Sequence, residues 1–507
     1  MRHMSRAGSS ALAAVLAACA FVPASLLAQP GGVAAACNID PNSPKELAIV
    51  SLKFQQARAG TNPEQRKLAL MSAMKELETK PERFAKNPAG FNYVLSQVLS
   101  VWALEPGIGF MPTRGALGLS TNPTEPYDIV AHLDTSFSVI STALPPCATE
   151  VGQLRQNDAW LALTRRALDA SNTQQLDSAD FYAMRSLRLS NVSPYPHYVL
   201  GNVANARGDK KAAVGHWKAV IKVAGTDTTY RDLRNSSTYY IGMTQLESAA
   251  ALKGAEQQTA ARDAAASFKE LLLVNPEGAD TPNIMNSMAD AMRLAGDSLQ
   301  ITTIYAPLIA SPDKYNDFSL TMGGVIATRA NKTDDARQLF EAAVRYNPAS
   351  RDALRNLAAT YYAKEDFKKM FDPAARLVAI DPNNFEGWML FAYGAQGLAL
   401  GTKVPAEKRA WTDSLVKYRT IADGLPAKVD VASFQRASAS STLVLSVEQA
   451  AAKPGTYSVT AEFLDKAGNV IGTDTKSVGP IEKGKKADVT LKATVPGVYG
   501  YRYKALK

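Results

Sequence analysis

Between about residue 160 and residue 423 the sequence repeats itself every 34 residues, and no other feature restricts the fold as much. Ala179 and Ala213 stand 34 apart, as do Ala183 and Trp217, Leu187 and Ile221, Phe340 and Ala374, and Pro348 and Pro382. A period of that length accommodates one helix–turn–helix unit. Such a unit cannot bury its own apolar face, so neighbours must stack and share one core. The expected fold is therefore mainly α, an α-α superhelix. A chain of 507 residues, 46% apolar and 20% charged, is long enough for two to four ordinary domains or one elongated array. The period selects the array.

Residue types within the period carry a resemblance. One unit reads Leu200-Gly201, Ala204, Gly208-Asp209, Ala213, Trp217 and Val220. Others read Ile241-Gly242 with Ala264, Phe268 and Pro276, then Gly324, Ala327, Ala336, Phe340, Ala343 and Pro348. The next has Leu357-Ala358, Tyr361, Met370, Ala374, Leu377 and Pro382, and a last one opens with Trp388, Phe391, Ala392 and Ala395. This resembles the tetratricopeptide repeat (TPR) family, with its W-x2-L-G-x2-Y, A-x3-F, A and P positions. Small residues at Gly201, Gly324 and Ala358 would let paired helices approach, and Trp217, Phe268 and Phe340 would fill the space beside them. Pro276, Pro348 and Pro382 would end second helices, because proline lacks the N–H and disfavours a helical residue before it. The resemblance covers 160–423 well and reaches loosely back through 38–158. That region reads as helical apart from a Pro/Gly-rich loop or lid at 105–127.

Beyond the array the periodicity falls to two. Tyr457, Val459, Ala461 and Phe463 alternate with polar residues, as do Ala487, Val489, Leu491 and Ala493. Leu443, Leu445 and Val447 form an earlier strand, and Tyr499, Tyr501 and Tyr503 a last one. Turns at 465–469 and 482–484 read as hairpins, so 432–507 is expected to be a small β-sandwich. The stretch from Phe463 to Gly472 looks like the FxLYD-type, immunoglobulin-like sandwich of bacterial envelope proteins, with Ala461 and Leu464 replacing two of that motif's aromatics.

Residues 1–28 read as an export signal: Arg2 and Arg6, an apolar small-residue stretch from Ala7 to Val22, then Ser25-Leu26-Leu27-Ala28. Cleavage after Ala28 competes with a lipoprotein reading, in which Leu16-Ala17-Ala18-Cys19 is a lipobox and Cys19 becomes the lipidated N-terminus. Either route predicts an exported protein, periplasmic or secreted, with membrane attachment only if Cys19 is lipidated. Of the 3 Cys, Cys37 and Cys147 remain after cleavage at Ala28, and in an oxidising compartment an isolated pair favours a disulfide.

The net charge of +9 comes from 56 Lys and Arg against 47 Asp and Glu, and two of those cations lie in the leader. Lys and Arg are dispersed among acidic residues, so a nucleic-acid partner is not expected. No metalloprotease, CxxC, Walker A or nucleophile-elbow pattern occurs. His132, His197 and His216 have no ligand spacing along the chain and read as surface or capping histidines. Asp180, Asp334 and Asp335 read as solvated or capping residues. No catalytic, cofactor or metal residues are therefore expected.

What the TPR resemblance implies is a concave wall built from first helices. In register it nominates Tyr198, Asn202, Asn205, Arg293, Arg329, Arg355, Tyr362, Tyr393 and Gln396 as partner-binding residues. Their Arg and Tyr content suits a peptide or unstructured segment carrying negative charge. The expected function is a non-enzymatic protein–protein scaffold in the cell envelope. The alternative is a glycan- or peptidoglycan-binding protein that uses the C-terminal sandwich, with the tyrosines of its last strand presented to sugars.

Overall fold

A computed structural model describes residues 36–60, 62–79, 81–274 and 280–507. The segment read as an export signal, Cys19 and Pro276 lie outside the described residues. The chain divides into two compact units, one of residues 1–163 with 188–190, the other of 164–187 with 191–507.

The first unit contains α1 (Lys45–Ala59), α2 (Pro63–Thr79), α3 (Pro88–Trp102), α4 (Ile129–Ala143) and α5 (Ala148–Leu154). Leu47, Val50, Leu70, Met74, Leu77, Val98 and Trp102 are wholly buried there. The segment 105–127 is not an open lid. Phe110, Leu117, Leu119 and Tyr127 are buried within it, and backbone bonds from Arg114 N to Glu125 O and from Gly115 N to Pro123 O fold it onto itself. Gly118 has φ +85°, and a Cβ there would lie 2.8 Å from Met71 Cβ, so only glycine fits. Arg114 and the Tyr127 hydroxyl both donate to Glu78, at 3.0 and 3.2 Å, and the His132 ring stacks on Tyr127 at 4.0 Å. Cys37 and Cys147 are joined by a disulfide, with Cα atoms 4.6 Å apart across 110 residues of sequence.

Two helices straddle the division, α6 (Asp158–Asn172) and α7 (Leu176–Leu189). The second unit continues with α8 (Tyr195–Ala206), α9 (Lys210–Ala224), α10 (Arg231–Ala251), α11 (Gly254–Val274), α12 (Thr281–Leu294) and α13 (Thr302–Ala310). It goes on with α14 (Asp317–Arg329), α15 (Thr333–Tyr346), α16 (Arg351–Ala363), α17 (Phe367–Ile380), α18 (Phe385–Gly401) and α19 (Pro405–Asp423). Consecutive helices pair, α8 with α9, α10 with α11, α14 with α15, α16 with α17 and α18 with α19. The result is a TPR-like solenoid.

The sequence register explains the pairing. A Cβ on Gly201 would lie 2.5 Å from the Trp217 indole, one on Gly242 2.8 Å from Phe268, and one on Gly324 2.5 Å from Phe340. Each first helix thus gives up a side chain so that a large aromatic of the second can lie against its backbone. Asn316 and Asn384, two periods apart, cap α14 and α18 by accepting from Ser319 N and Gly387 N. The α15 helix ends at Tyr346 and α17 at Ile380, each two residues before a proline. Among the described residues no helix is long and apolar enough to cross a membrane.

Six strands follow: β1 (Ala427–Arg436), β2 (Ser441–Gln449), β3 (Gly455–Leu464), β4 (Val470–Ile481), β5 (Lys486–Ala493) and β6 (Gly500–Tyr503). They form two antiparallel three-stranded sheets, β1-β2-β5 and β4-β3-β6. Leu443, Leu445, Val447, Val459, Ala461, Phe463 and Leu491 share their core. One expectation changes here. The first strand opens at Ala427, and a bulge between Val431 and Ser433 breaks its alternation. The turn at 482–484 is not a hairpin, because β4 and β5 lie in different sheets.

The two sheets are knitted into the helical unit by turn residues. Asp381 is wholly buried and accepts from Arg351 Nε at 2.6 Å, Tyr503 Oη at 2.5 Å and Asn384 Nδ2 at 3.0 Å. Burial, and then the Asp381 charge, push the Tyr503 phenol well above its ordinary range, so it remains a donor. Asn383 Nδ2 donates to Ala427 O and Leu506 O, and Leu506 N donates to Asn383 Oδ1. One repeat earlier, Asn347 Nδ2 donates to Asp317 Oδ2 at 2.7 Å and to Tyr499 O at 2.8 Å. Arg436 reaches from β1 to Asp317 at 2.5 Å. Asn347 and Asp381 are 34 residues apart, as are Asp317 and Arg351.

Candidate functional site

Five of the nine side chains nominated by the repeat register, Tyr198, Arg329, Arg355, Tyr362 and Tyr393, reach from one first helix to the next. On α8, Tyr198 lies with its ring 6.5 Å from that of Tyr240 on α10. Burial and the Tyr240 phenol push its hydroxyl up to about 12. Asn202 accepts the Trp217 indole N–H at 3.3 Å, and Tyr240 stacks on Trp217 at 5.3 Å. Arg329 on α14 donates to Asn286 of α12 at 2.7 Å. Arg355 on α16 makes a two-bond fork to Glu386 of α18, at 2.7 and 2.8 Å. Tyr362 and Tyr393, from the same two helices, are 47% and 39% exposed, with ring centroids 5.8 Å apart. Phe367 meets Tyr362 edge-on at 6.0 Å.

Three nominated residues are exposed without reaching the next helix in this way. Arg293 pairs within its own helix with Asp290, at 3.2 Å, and Asn205 is exposed at the end of α8. Gln396 is exposed one turn beyond Tyr393. Sequence reasoning missed Tyr240, Asn286, Phe367 and Glu386. Tyr240 and Asn286 lie on first helices, whereas Phe367 opens the second helix α17, and nothing in sequence marked Glu386 as the partner of Arg355.

Those partners change the electrostatics. Glu386 and Asp290 offset two of the three nominated guanidinium groups. What remains outward-facing is aromatic and hydrogen-bonding, not strongly cationic. The preference for negatively charged segments, expected from the arginines alone, loses its basis.

The other polar clusters resolve into structural roles. Asp334 pairs with Lys364 at 2.6 Å, which holds its carboxyl below the usual range, while Asp335 accepts from Tyr305 at 3.0 Å. Tyr501 and Tyr503 are 3% exposed, and Tyr499 packs on Tyr346. Tyr501 and Tyr503 are therefore core, and with Tyr499 only half-buried ahead of β6 the three do not form a sugar-facing aromatic ladder. Among the described residues no group of three or more His, Cys, Asp or Glu could hold a metal ion. Histidine differs from expectation in one place: His197 and His216, 19 residues apart, face each other across the α8–α9 hairpin.

No protein-family model matches the chain. No curated protein matches it either. Among solved structures it is similar to a tetratricopeptide repeat protein from Parabacteroides merdae, at 11% identity and TM-score 0.29, covering 52% of this chain and 99% of that one. It is also similar to pilF of Pseudomonas aeruginosa, at 12% identity and TM-score 0.25, covering 52% and 90%. A third is yeast Tom70, at 13% identity and TM-score 0.26, covering 76% and 66%.

Proposed function

We propose that this is an exported, non-enzymatic scaffold protein of the cell envelope that holds a protein partner along the inner wall of its repeats. The observation that carries the reading is the set of side-chain bridges between successive first helices. These are Tyr198 to Tyr240, Arg329 to Asn286, Arg355 to Glu386 and Tyr362 to Tyr393. Such bridges fix the rotamers of a long row of polar and aromatic groups before any partner arrives, which lowers the ordering cost of binding. Tyrosine pairs give large contact area with few rotatable bonds, and interface energy concentrates on residues of this kind. An extended segment lying across several repeats could use the amide, phenol and guanidinium groups in turn. The export segment supplies the compartment, and cleavage after Ala28 or lipidation at Cys19 supplies the two mature forms.

The test is photo-crosslinking in the envelope from a probe placed at Tyr393, compared with the same probe in a Tyr362→Ala background. The expected result is a discrete protein adduct, reduced about tenfold when Tyr362 is truncated. Equal crosslinking from the outward face of α19 would remove the inner wall from the proposal. The mass of the mature N-terminus separates the soluble form from the lipidated one.

A further inference from the structure

Tyr362 on α16 and Tyr393 on α18 stand side by side, with ring planes inclined by 44°, too far from parallel to close face to face. Both keep part of their ring in solvent. Their position is braced from the second helix α17. Phe367 meets Tyr362 edge-on and also presses on α18, where a Cβ on Gly397, one turn past Tyr393, would lie 2.5 Å from its ring. The pair is thus an aromatic platform held in place before anything binds.

A second apolar group stands in line with it. Leu400 is 76% exposed and lies seven residues beyond Tyr393, on the same side of α18. Seven residues of helix rise about 10.5 Å. A polyproline II segment returns the same side to its receptor every three residues, about 9.3 Å. A β-strand does so every two or four residues, about 6.6 or 13 Å. The spacing of platform and leucine suits polyproline II best.

The polar groups along this row agree. Arg355 and Glu386 neutralise each other in their two-bond fork, so the neighbouring wall matches an uncharged segment better than an anionic one. Gln396, exposed between Tyr393 and Leu400, offers an amide donor. A polyproline II backbone has carbonyls without internal partners, which such a donor can satisfy. Aromatic-lined grooves recognise this conformation because it is already formed and loses little entropy on docking.

Resting on the inner-wall reading, we propose that the segment held there is proline-rich and uncharged. It lies in the polyproline II conformation, with one proline against Tyr362 and Tyr393 and another, three residues away, against Leu400.

The test is calorimetric titration of the full chain with a blocked polyproline peptide of about ten residues, roughly three turns, and with a blocked Gly/Ser peptide of equal length. Tyr362→Ala, Tyr393→Ala and Leu400→Ser are titrated after circular dichroism has established that each is folded. The expected result is binding of polyproline alone, weakened at least about tenfold by either tyrosine change and about threefold by Leu400→Ser. No binding by the unaltered chain at about 1 mM polyproline would overturn the proposal. So would equal affinity for the Gly/Ser peptide, or undiminished affinity in both folded tyrosine variants. If a crosslinking probe at Tyr393 still traps a protein in those cases, the inner-wall reading survives and only the proline chemistry is lost. A probe there that traps nothing removes both.

Discussion

The first unit is closed by links between residues far apart in sequence, whereas the helical stack of the second is closed by contacts that return every period, with long links joining its last repeats to the strands. In the first, Cys37 is bonded to Cys147, and Glu78 gathers Arg114 and Tyr127. In the second, a glycine faces an aromatic in three hairpins, Gly201 with Trp217, Gly242 with Phe268 and Gly324 with Phe340. A periodic stack distributes its stability over many equivalent interfaces. The first unit concentrates it in a few links that have no substitute. The two should fail differently when single residues are changed.

The largest difference should come from reduction. In the chain-entropy picture, opening a loop of about 110 residues removes about 4–5 kcal/mol. Denaturant unfolding with and without dithiothreitol should shift one transition and leave the repeat unit's in place. A single shifted transition for the whole chain would erase the comparison. Next, Asp381→Ala leaves the Arg351 guanidinium without its buried partner and should cost about 3–5 kcal/mol. Its signature is earlier loss of protection at Tyr503 and Leu506 in hydrogen exchange, with the α8–α9 hairpin unchanged.

Smaller effects sharpen the picture. Gly324→Ala pushes a methyl into the Phe340 ring and should cost about 1–3 kcal/mol, read as a lowered midpoint of the repeat transition. Arg355→Ala breaks an exposed fork and should cost under about 1 kcal/mol, while any partner lost with it would reveal a binding role. The slightest effect is pH dependence at the histidine pair. Both values are lowered in the fold, so the unfolded chain binds protons first. Stability is held above about pH 6.5 and falls as the pH drops through that value toward the folded ones. Melting of His197→Gln across this interval should show a shallower fall than the unaltered chain.

The helical register was legible because it rests on backbone sterics: where two helices touch closely the first carries a small residue, such as Gly324 beside Phe340 or Ala358 in the α16–α17 hairpin. Alternation on β2, β3 and β5 was legible for the same reason, since one face of each is core. The β1 strand was not, because its bulge puts Phe434 out of phase with Val429 and Val431. The β4 strand is an edge with mostly exposed side chains, and offers little alternation to read. Of the inner wall, Tyr362 and Tyr393 followed from register alone. The Arg355–Glu386 fork did not, because a charge on an exposed helix says nothing about which neighbour will reach it. His197 and His216 were hidden by their separation along the chain, which a hairpin cancels. Asn347 and Asp381 stand directly before Pro348 and Pro382, and nothing along the chain pointed to their role, which needs the partner strand in place.

That second role restricts how the array can evolve. Repeat proteins lengthen and shorten by duplicating or losing whole units, and a plain stack tolerates the change wherever it falls. Here the strands are anchored at two successive junctions of the same register, Asp317 with Asn347 and, one period later, Arg351 with Asp381. Inserting or deleting 34 residues between the first and last of these would carry one anchor away from its strand by a full repeat. The last repeats are thus frozen in number, like teeth already engaged with a fixed rack, while duplication remains open to the hairpins before Asp317.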